Sequence, residues 1–386
     1  MITVRSAQTS AIKDNNLALT EIMEQLQFHL FSREHGVAII TCYSDFIDNG
    51  LIDLLVEAIP YDIAGITTVA SANMEGYGEV TCSVIVYMSD EITFSSAMTQ
   101  SITKGNMDAN IANTYKHAAA NHSGRPAMIL AFAPYLADVD CAEVVASLDQ
   151  ASGGVPIFGG YPIDHTPDLR SKRTILNYDY SYDRMCIILF YGDIHPTFLV
   201  TTVSDQYINN VEGIVTKAEG SHIIEVDNEP FVNFLIRSGM VHDGALNVIT
   251  TPFLVDLKDG SQPVLRAISE VSPEGHGILS TTIREGAGLR TAELVVQDVL
   301  ESEELVVDTA LSLDDVNSIL FMPCISRFTA LGSNRLAGME TVCNLVDGRL
   351  PFLLSYCYGE ICPVPGPVPG QLVNSYHNFS TVACIL

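Results

Sequence analysis

The chain closes with SYCYGEICP at residues 355–363, followed by NSYHN at 374–378 and FSTVACIL at 379–386. The final run carries no charged side chain, and such an apolar segment does not stay solvated at a free end. We therefore predict a buried last strand, which makes the C-terminus part of the core. Polar side chains gather just before that strand, at what we expect to be one sheet edge: Glu360, Asn374, His377 and Asn378.

The composition is that of a globular and strongly acidic protein. The 386 residues are 47% hydrophobic and include 46 acidic against 19 basic side chains, for a formal net charge of −27. This length allows two domains, or one large domain, with an ample core. The negative charge repels a phosphate backbone, and no cluster of Lys and Arg offsets it, so we expect no direct binding of nucleic acid.

The distribution of apolar residues and cysteines predicts a cytoplasmic protein. No apolar run approaches the ~20 residues of a membrane helix, and MITVRSAQTS at 1–10 lacks the apolar stretch of a signal peptide. The nine cysteines lie mostly in apolar runs and show no Cys-x-x-Cys spacing. This pattern favours reduced, buried thiols over a disulfide scaffold or a structural zinc site, so we expect no metal site.

One order of elements returns three times along the chain: strand, helix, glycine-bearing strand, irregular loop, strand. The glycines of this unit are Gly65 in the first pass, Gly159 and Gly160 in the second, and Gly359 in the third. We predict an α/β fold with mixed sheets flanked by helices, built by duplication of this unit and arranged in two halves. The predicted strands are 37–43, 63–69, 80–88, 128–132, 155–161, 185–191, 318–323, 352–358 and 381–386.

Residues 205–310 separate the second and third passes. They predict a hairpin at 211–226 with Glu219-Gly220 as its turn, a short helix at 230–236 and a helix at 294–311. Strands are predicted at 246–255, 264–271 and 277–283, separated by turn signals at 258–260 and 272–275. We place the boundary between the halves here, which gives domains 1–205 and 206–386.

Signatures of the common enzyme classes are missing from the sequence. It contains no G-x-S-x-G, no Walker loop, no H-E-x-x-H and no G-x-G-x-x-G after a strand. No nucleophile with its base can be named, so we assign no catalytic residue and expect a binding protein. Gly159 and Gly160 end a predicted strand, where they serve either close backbone packing or phosphate binding.

Candidate ligand contacts follow the strands of the third pass. Cys324 and Arg327 lie where a strand ends, the edge at which parallel-type sheets bind ligands. The guanidinium of Arg327 suits a carboxylate, either of a ligand or of a neighbour such as Glu360. His377 either caps loop carbonyls or contacts a ligand, and Tyr358 either walls a pocket or packs.

These side chains meet if the strands of the third pass run in suitable directions. With its first two strands parallel and its last antiparallel, Arg327, Glu360 and His377 fall on the same sheet edge. A cation, an anion and an imidazole together suit a zwitterion such as an amino acid. Arg327 would then bind the carboxylate and Glu360 the ammonium group.

The same residues carry a resemblance to the FIST family, a sensory module of an N-terminal and a C-terminal domain. PCISR at 323–327 resembles its Cys-x-x-Arg segment, and YGEICP at 358–363 with SYHN at 375–378 resembles its closing signature. Further similar segments are VTKAEGSHIIEVDNEPFVNFL at 215–235, PIFGGYPID at 156–164 and IAGITTVAS at 63–71. The last departs from the family pattern, since Ala70-Ser71 stand where Gly-Glu is expected.

The resemblance implies a cytoplasmic sensory protein that binds an amino acid or a similar metabolite. With no output domain left over, we expect it to signal in trans to a histidine kinase, a chemoreceptor or a cyclic-di-nucleotide enzyme. An alternative within the family is a non-covalent haem-binding nitric-oxide sensor that regulates a histidine kinase or a cyclic-di-nucleotide enzyme. The ligand-binding residues we assign are Arg327, Glu360, His377, Cys324, Tyr358, Asn378, Gly159 and Gly160.

Overall fold

The computed structural model describes residues 2–166, 169–242, 245–246, 251–258 and 263–386. Within these residues the chain repeats one unit three times: edge strand, helix, strand, helix, strand, hairpin, final strand. The resulting mixed sheets flanked by helices confirm the predicted α/β class. The three passes found in the sequence are therefore three structural repeats.

The first two repeats follow each other directly. Repeat 1 consists of β1 (Ile2–Thr9), α1 (Asn15–Leu26), α2 (Phe28–Phe31), β2 (His35–Cys42), α3 (Asp45–Asp48), α4 (Leu51–Ala58), β3 (Asp62–Thr67), β4 (Ser71–Asn73), β5 (Gly76–Gly78) and β6 (Cys82–Ser89). Repeat 2 consists of β7 (Thr93–Met98), α5 (Met107–Ala119), β8 (Met128–Phe132), α6 (Cys141–Ser152), β9 (Ile157–Gly160), β10 (Thr174–Leu176), β11 (Asp179–Ser181) and β12 (Cys186–Tyr191).

Repeat 3 is interrupted after its edge strand, β13 (Thr197–Thr201). The insertion contains a 3-10 turn (Asp205–Tyr207), β14 (Ile208–Glu219), β15 (His222–Val226), β16 (Glu229–Pro230), α7 (Phe231–Arg237), β17 (Val241–His242), β18 (Ala245–Leu246), β19 (Phe253–Asp256), β20 (Val264–Arg266), β21 (Ile268–Val271), β22 (Gly277–Leu279) and β23 (Gly288–Ala292). The repeat resumes with α8 (Val296–Ser312), β24 (Ile319–Pro323), α9 (Ile325–Ala330), a 3-10 turn (Gly332–Asn334), α10 (Ala337–Val346), β25 (Phe352–Ser355), β26 (Glu360–Pro365), β27 (Leu372–His377) and β28 (Thr381–Ile385).

Strand directions are the same in every repeat. The strand after the first helix pairs in parallel with the next strand, as β2 with β3, β8 with β9 and β24 with β25. It pairs antiparallel with the final strand, as β2 with β6, β8 with β12 and β24 with β28. The directions assumed for the third pass in the sequence-based site are thus confirmed.

The hairpins are exchanged between repeats. The hairpin of repeat 1 joins the sheet of repeat 3 through β4 and β25, and that of repeat 2 joins repeat 1 through β10 and β3. The hairpin of repeat 3 closes the cycle by pairing β26 with β9 of repeat 2. Each of the three sheets therefore contains strands of two repeats, and the repeats hold one another in place by backbone hydrogen bonds.

Apolar side chains of all three repeats meet between the sheets. One core cluster includes Ile39, Leu130 and Leu320 together with Cys384 of the final strand. Three further clusters lie between each sheet and its own helices. The last strand is buried along its whole length, as the apolar C-terminal run predicted.

The insertion forms a separate sheet with its own core around Phe231, Phe234 and Phe253. The predicted hairpin at 211–226 is confirmed by the pairing of β14 with β15, and the predicted helix at 294–311 corresponds to α8. The strand predicted at 264–271 is divided into β20 and β21. Of the other predictions for this region, residues 247–250 and 259–260 lie outside the described residues.

The domain boundary at residue 205 stays a prediction. The edge strand β13 ends before residue 205, but it pairs with β28 near the C-terminus. The sheet of repeat 3 therefore contains strands from both sides of the predicted boundary.

All nine cysteines are free, and all except Cys343 are buried. No helix in the described ranges has the length and apolar character needed to cross a membrane.

Candidate functional site

Each exchanged hairpin begins with a polar residue at the same position. Ser71, Thr174 and Glu360 lie opposite Ser355, Ile66 and Gly160 on the neighbouring strand of another repeat. Ser71 stands where the family pattern predicted a glutamate. Among the three hairpins, only that of repeat 3 therefore begins with a carboxylate.

The same three residues connect to the segment before each final strand. The hydroxyl groups of Ser71 and Thr81 are 2.7 Å apart, and the Thr174 hydroxyl donates to the Arg184 carbonyl at 2.6 Å. In repeat 3, Glu360 Oε2 accepts from the Ser380 hydroxyl at 2.7 Å and from the Ser380 amide at 3.3 Å. These contacts fix the hairpins where the repeats meet.

Glu360 is fully buried among sulfur atoms and hydroxyl groups. The Cys357 thiol donates to Glu360 Oε1 at 3.9 Å, and Cys324 lies directly opposite Cys357 in a parallel bridge. Burial raises the pKa of Glu360 to about 8, although the hydrogen bonds from Ser380 oppose the shift. Burial and the neighbouring Glu360 charge together raise the pKa of the Cys324 thiol, which favours an unreactive thiol.

Arg327 is buried in α9 and pairs with a different carboxylate from the one expected. Its Nε lies 3.9 Å from Glu303 Oε1 on α8, and its Nη1 donates to the Phe379 carbonyl at 2.9 Å. Its Nη2 donates to the Ser302 hydroxyl and to the Val299 carbonyl. The internal pair that we weighed against ligand binding is therefore present, but its partner is Glu303 rather than Glu360.

His377 lies opposite Glu360 in the register of β26 and β27. Its Nε2 donates to the Cys362 carbonyl at 2.9 Å, which is the carbonyl-capping role left open by the sequence. Burial lowers the pKa of His377 to about 4, with a contribution from the positive charge of Arg266. The imidazole is therefore neutral at pH 7, and its contact with a ligand stays a prediction.

Two other predicted contacts lie nearer the insertion. The Tyr358 ring packs against Tyr135, with 4.1 Å between the ring centroids. Asn378 is buried, and its Nδ2 donates to the Tyr376 hydroxyl at 2.9 Å. Its Oδ1 accepts from the Ser280 hydroxyl and from the Ala267 amide of the insertion, both at 3.3 Å.

The predicted residues thus fall into groups. Glu360, His377, Cys324 and Gly160 lie together where repeats 2 and 3 meet, with Arg327 close by but engaged with Glu303. Gly159 sits so close to the next strand that a Cβ would lie 1.9 Å from the Ala131 carbonyl oxygen, which favours the packing role. Ligand contact by any of these residues stays a prediction.

A cleft of about 310 Å³ separates repeat 2 from the insertion, and sequence reasoning missed it. Its walls carry charges of both signs, with Lys104 against Asp138, Glu143 and Glu219. Tyr135, which packs on Tyr358, also lines it. The other lining residues are Leu136, Ala137, Val139, Asp140, Gly220, Ser221, His222, Leu279, Ser280, Thr281 and Thr282.

Asp140 holds the two walls of the cleft together. It caps α6 by accepting from the Ala142 amide at 2.8 Å, and it accepts from the Thr281 hydroxyl at 2.8 Å and the Thr282 amide at 2.5 Å. Burial acts to raise the pKa of Asp140, but these hydrogen bonds outweigh it and hold the pKa below its ordinary value. An aspartate just before a helix was the sequence signal for the cap, but nothing local indicated its threonine partners.

Neither the cleft nor a second, larger cavity fits a haem. A larger cavity of about 830 Å³ contains His195, but Glu91, Asp193, Asp314 and Asp315 line it without any Lys or Arg, so haem propionates would be repelled. The cleft is smaller and mostly polar, whereas haem needs an apolar slot. The Nε2 of buried His377 is occupied by a carbonyl.

Comparison with known proteins identifies the family. The FIST N domain model matches residues 36–229, and the FIST C domain model matches residues 229–363. The chain belongs to the FIST family. FIST domains are sensory domains that bind small ligands in signalling. Both matched regions contribute to the lining of the cleft: Lys104, Asp140 and His222 belong to the N-domain match, and Thr281 and Thr282 belong to the C-domain match.

Other comparisons add no functional argument. A search among curated proteins found no match. Cyanuric acid hydrolase from A. caulinodans is 10% identical with a TM-score of 0.36, over 100% of this chain and 99% of that chain. A second cyanuric acid hydrolase structure is 9% identical with the same TM-score and coverage. PurLQS from Thermotoga maritima is 10% identical with a TM-score of 0.21, over 100% of this chain and 72% of that chain.

Proposed function

We propose that this FIST protein is a cytoplasmic, non-enzymatic sensor that binds an amino acid or a similar zwitterionic metabolite in the cleft between repeat 2 and the insertion. It signals in trans to a separate partner of the class of histidine kinases, chemoreceptors or cyclic-di-nucleotide enzymes. The observation that carries the proposal is a small cleft between repeat 2 and the insertion that carries charges of both signs and is lined by residues of both FIST domain matches.

The size and charges of the cleft favour a small zwitterion. About 310 Å³ is at the lower end of the range for ligand sites, so a metabolite fits better than a large cofactor. Lys104 supplies a cation for a carboxylate, and Asp138, Glu143 and Glu219 supply carboxylates for an ammonium group. The sequence suggested such a pairing of charges for Arg327 and Glu360. In the structure, the side chains that offer it line the cleft.

The position of the cleft supports signalling. Polar contacts join the insertion to the repeats beside the cleft, through Asp140 with Thr281 and Thr282 and through Asn378 with Ser280. Polar seams of this kind allow relative motion more readily than large apolar interfaces do. A ligand that contacts both walls favours the closed arrangement over an open one, and a partner can read that shift.

Calorimetry against the standard amino acids tests the proposal. At least one should bind the wild type, and Lys104→Met should weaken it roughly ten- to hundred-fold, because a charge-assisted contact contributes ~1.5–3 kcal/mol. Lys13→Met is the matched control, because Lys13 is exposed and does not line the cleft. An amino-acid ligand is excluded if no standard amino acid binds the wild type, and the assignment of the ligand to the cleft is wrong if both variants bind as tightly as the wild type.

Hydrogen exchange tests the link to the insertion. Binding of the amino acid found by calorimetry should slow exchange of the Thr282 amide, which donates to Asp140 across the cleft. Exchange in β2, which lies in the sheet of repeat 1, should not change. Unaltered exchange at Thr282 in the saturated protein would contradict closure of the cleft.

A further inference from the structure

The charges of the cleft are divided unequally between its two walls. Repeat 2 contributes side chains of both signs to the lining: Lys104, Asp138, Asp140 and Glu143. Among the described lining residues, the insertion contributes Glu219 as its single Asp, Glu, Lys or Arg side chain. One wall therefore offers partners for both groups of a zwitterion, and the other offers a carboxylate alone.

Two lysines beside the cleft belong to repeat 2. Lys104 lines the cleft, and Lys172 lies over the ring of the lining residue Tyr135, with 5.6 Å between its Nζ and the ring centroid. The N-terminus of α6 adds no open anion site, because its first free amides donate to Asp140 Oδ1 at 2.8 and 3.3 Å. A ligand carboxylate is therefore expected beside the lysines of repeat 2.

Carboxylates outnumber cations in the lining. Asp138, Glu143 and Glu219 are exposed at the cleft, whereas Asp140 is engaged by two threonines of the insertion. An amino acid with a neutral side chain brings one ammonium group to these three exposed carboxylates. That group is satisfied on repeat 2, next to the site of the ligand carboxylate, so Glu219 across the cleft is left without a cation. A second cationic group on the ligand would compensate this charge.

We propose that the ligand of the cleft is an amino acid with a cationic side chain, of the class of arginine, lysine and ornithine, an inference that rests on the proposed function. Its carboxylate binds beside Lys104 and its α-ammonium group binds Asp138 or Glu143. Its side-chain cation crosses the cleft to Glu219. His222, which also lines this wall, offers an imidazole but no negative charge, so Glu219 sets the preference for a cation.

The dimensions of the cleft agree with such a ligand. A volume of about 310 Å³ leaves room for a single amino acid with a long side chain. Because one end of the ligand binds repeat 2 and the other binds the insertion, the bound ligand holds the two walls together. A neutral or short side chain lacks the second attachment and should favour the closed arrangement less.

Calorimetry with matched pairs of ligands tests the preference. Arginine and citrulline have side chains of nearly the same shape, but only that of arginine is charged, and lysine and norleucine form a second pair. In at least one pair the wild type should bind the cationic member roughly ten- to hundred-fold more tightly, as expected for one charge-assisted contact. Equal affinity within both pairs would overturn this inference and leave the amino-acid sensor in place, whereas absence of binding by every amino acid would overturn both.

Glu219→Gln tests the assignment of the side chain to the insertion wall. The variant should lose affinity for the cationic amino acid and keep that for its neutral counterpart, so the preference within the pair should disappear. Glu270→Gln is the control, because Glu270 is exposed on the insertion and does not line the cleft. Thermal melts should show the wild-type Tm for both variants, since both positions are exposed. A preference that persists in Glu219→Gln, or that is lost equally in Glu270→Gln, would overturn the contact with Glu219.

Discussion

Gly65 of β3 and Gly159 of β9 occupy corresponding positions, and at both a side chain would collide with the backbone of the neighbouring strand. A Cβ on Gly65 would lie 1.7 Å from the Ile40 carbonyl oxygen, and a Cβ on Gly159 would lie 1.9 Å from the Ala131 carbonyl oxygen. Each of these neighbours is the parallel partner of its glycine in the sheet register. The duplication predicted from glycine-bearing strands is thus confirmed at the level of single residues for repeats 1 and 2, whereas Gly359 of repeat 3 lies outside β25 (Phe352–Ser355).

Gly65→Ala and Gly159→Ala should both strongly destabilise the protein. The backbone must move to admit the methyl group, and overpacking of a core typically costs ~1–3 kcal/mol or more. Gly159 also has φ of +152°, which an alanine rarely adopts. Urea unfolding measures the loss. Gly105→Ala is the control, because nothing lies within 4 Å of its Cβ position, and an equal loss there would refute the steric explanation.

Arg327→Ala should cost about 3–5 kcal/mol of folding stability, because it leaves the Glu303 carboxylate buried without its cation. Arg335→Ala, which breaks an exposed pair with Glu79, should cost less than ~1 kcal/mol. Denaturant unfolding of both variants checks the difference. At a temperature where Arg327→Ala is folded, the variant should bind the amino acid as tightly as the wild type does. If Arg327 contacted the ligand directly, the affinity would instead fall roughly ten- to hundred-fold.

Glu360 should make the protein less stable as the pH rises. Its pKa is about 8 in the folded protein, compared with 4.5 for an ordinary glutamate. Between these values the folded state keeps a proton that the unfolded state has lost, so stability falls by up to about 1.4 kcal/mol per pH unit. Glu360→Gln should therefore gain stability relative to the wild type between pH 5 and pH 8 in urea unfolding. Exposed Glu304→Gln should show no such trend.

His377 should have the opposite effect. Its pKa is about 4 in the folded protein, compared with 6.5 for an ordinary histidine. Between these values the unfolded state binds the additional proton, so the stability present above pH 6.5 is lost as the pH falls towards 4. His377→Gln should flatten this loss in urea unfolding, while His117→Gln, at an exposed position, should leave it unchanged. A loss of the same slope in His377→Gln would assign it to other groups.

The haem alternative leads to a spectroscopic prediction. Because the cleft is mostly polar and the larger cavity is lined by carboxylates, we expect protein produced with added haem precursor to lack a Soret band. The absorption spectrum is measured on the wild-type protein, and a known haemoprotein produced under the same conditions is the control. A Soret band that persists through purification would make the nitric-oxide sensor the favoured function in place of the amino-acid sensor.

Sequence patterns determined the repeated unit, the buried last strand and the hairpin at the start of the insertion. Each of these depends on neighbours within one segment: the apolar run at 379–386, the Glu219-Gly220 turn, and glycines in short apolar strands. Local periodicity and turn chemistry are sufficient for such features. The same patterns also predicted Glu360 and His377 at one sheet edge, although they did not predict β26 and β27, the strands on which the two residues lie opposite each other.

Only the tertiary structure decided how the repeats combine. The exchange of hairpins joins Glu360 to Gly160 and Ser71 to Ser355, pairings between distant segments that no local pattern specifies. Glu303, the partner of Arg327, likewise lies on α8. The insertion separates α8 from β13, the edge strand of the same repeat. The cleft arises where this insertion packs on repeat 2, so its walls are distant in sequence and could be recognised only in the folded protein.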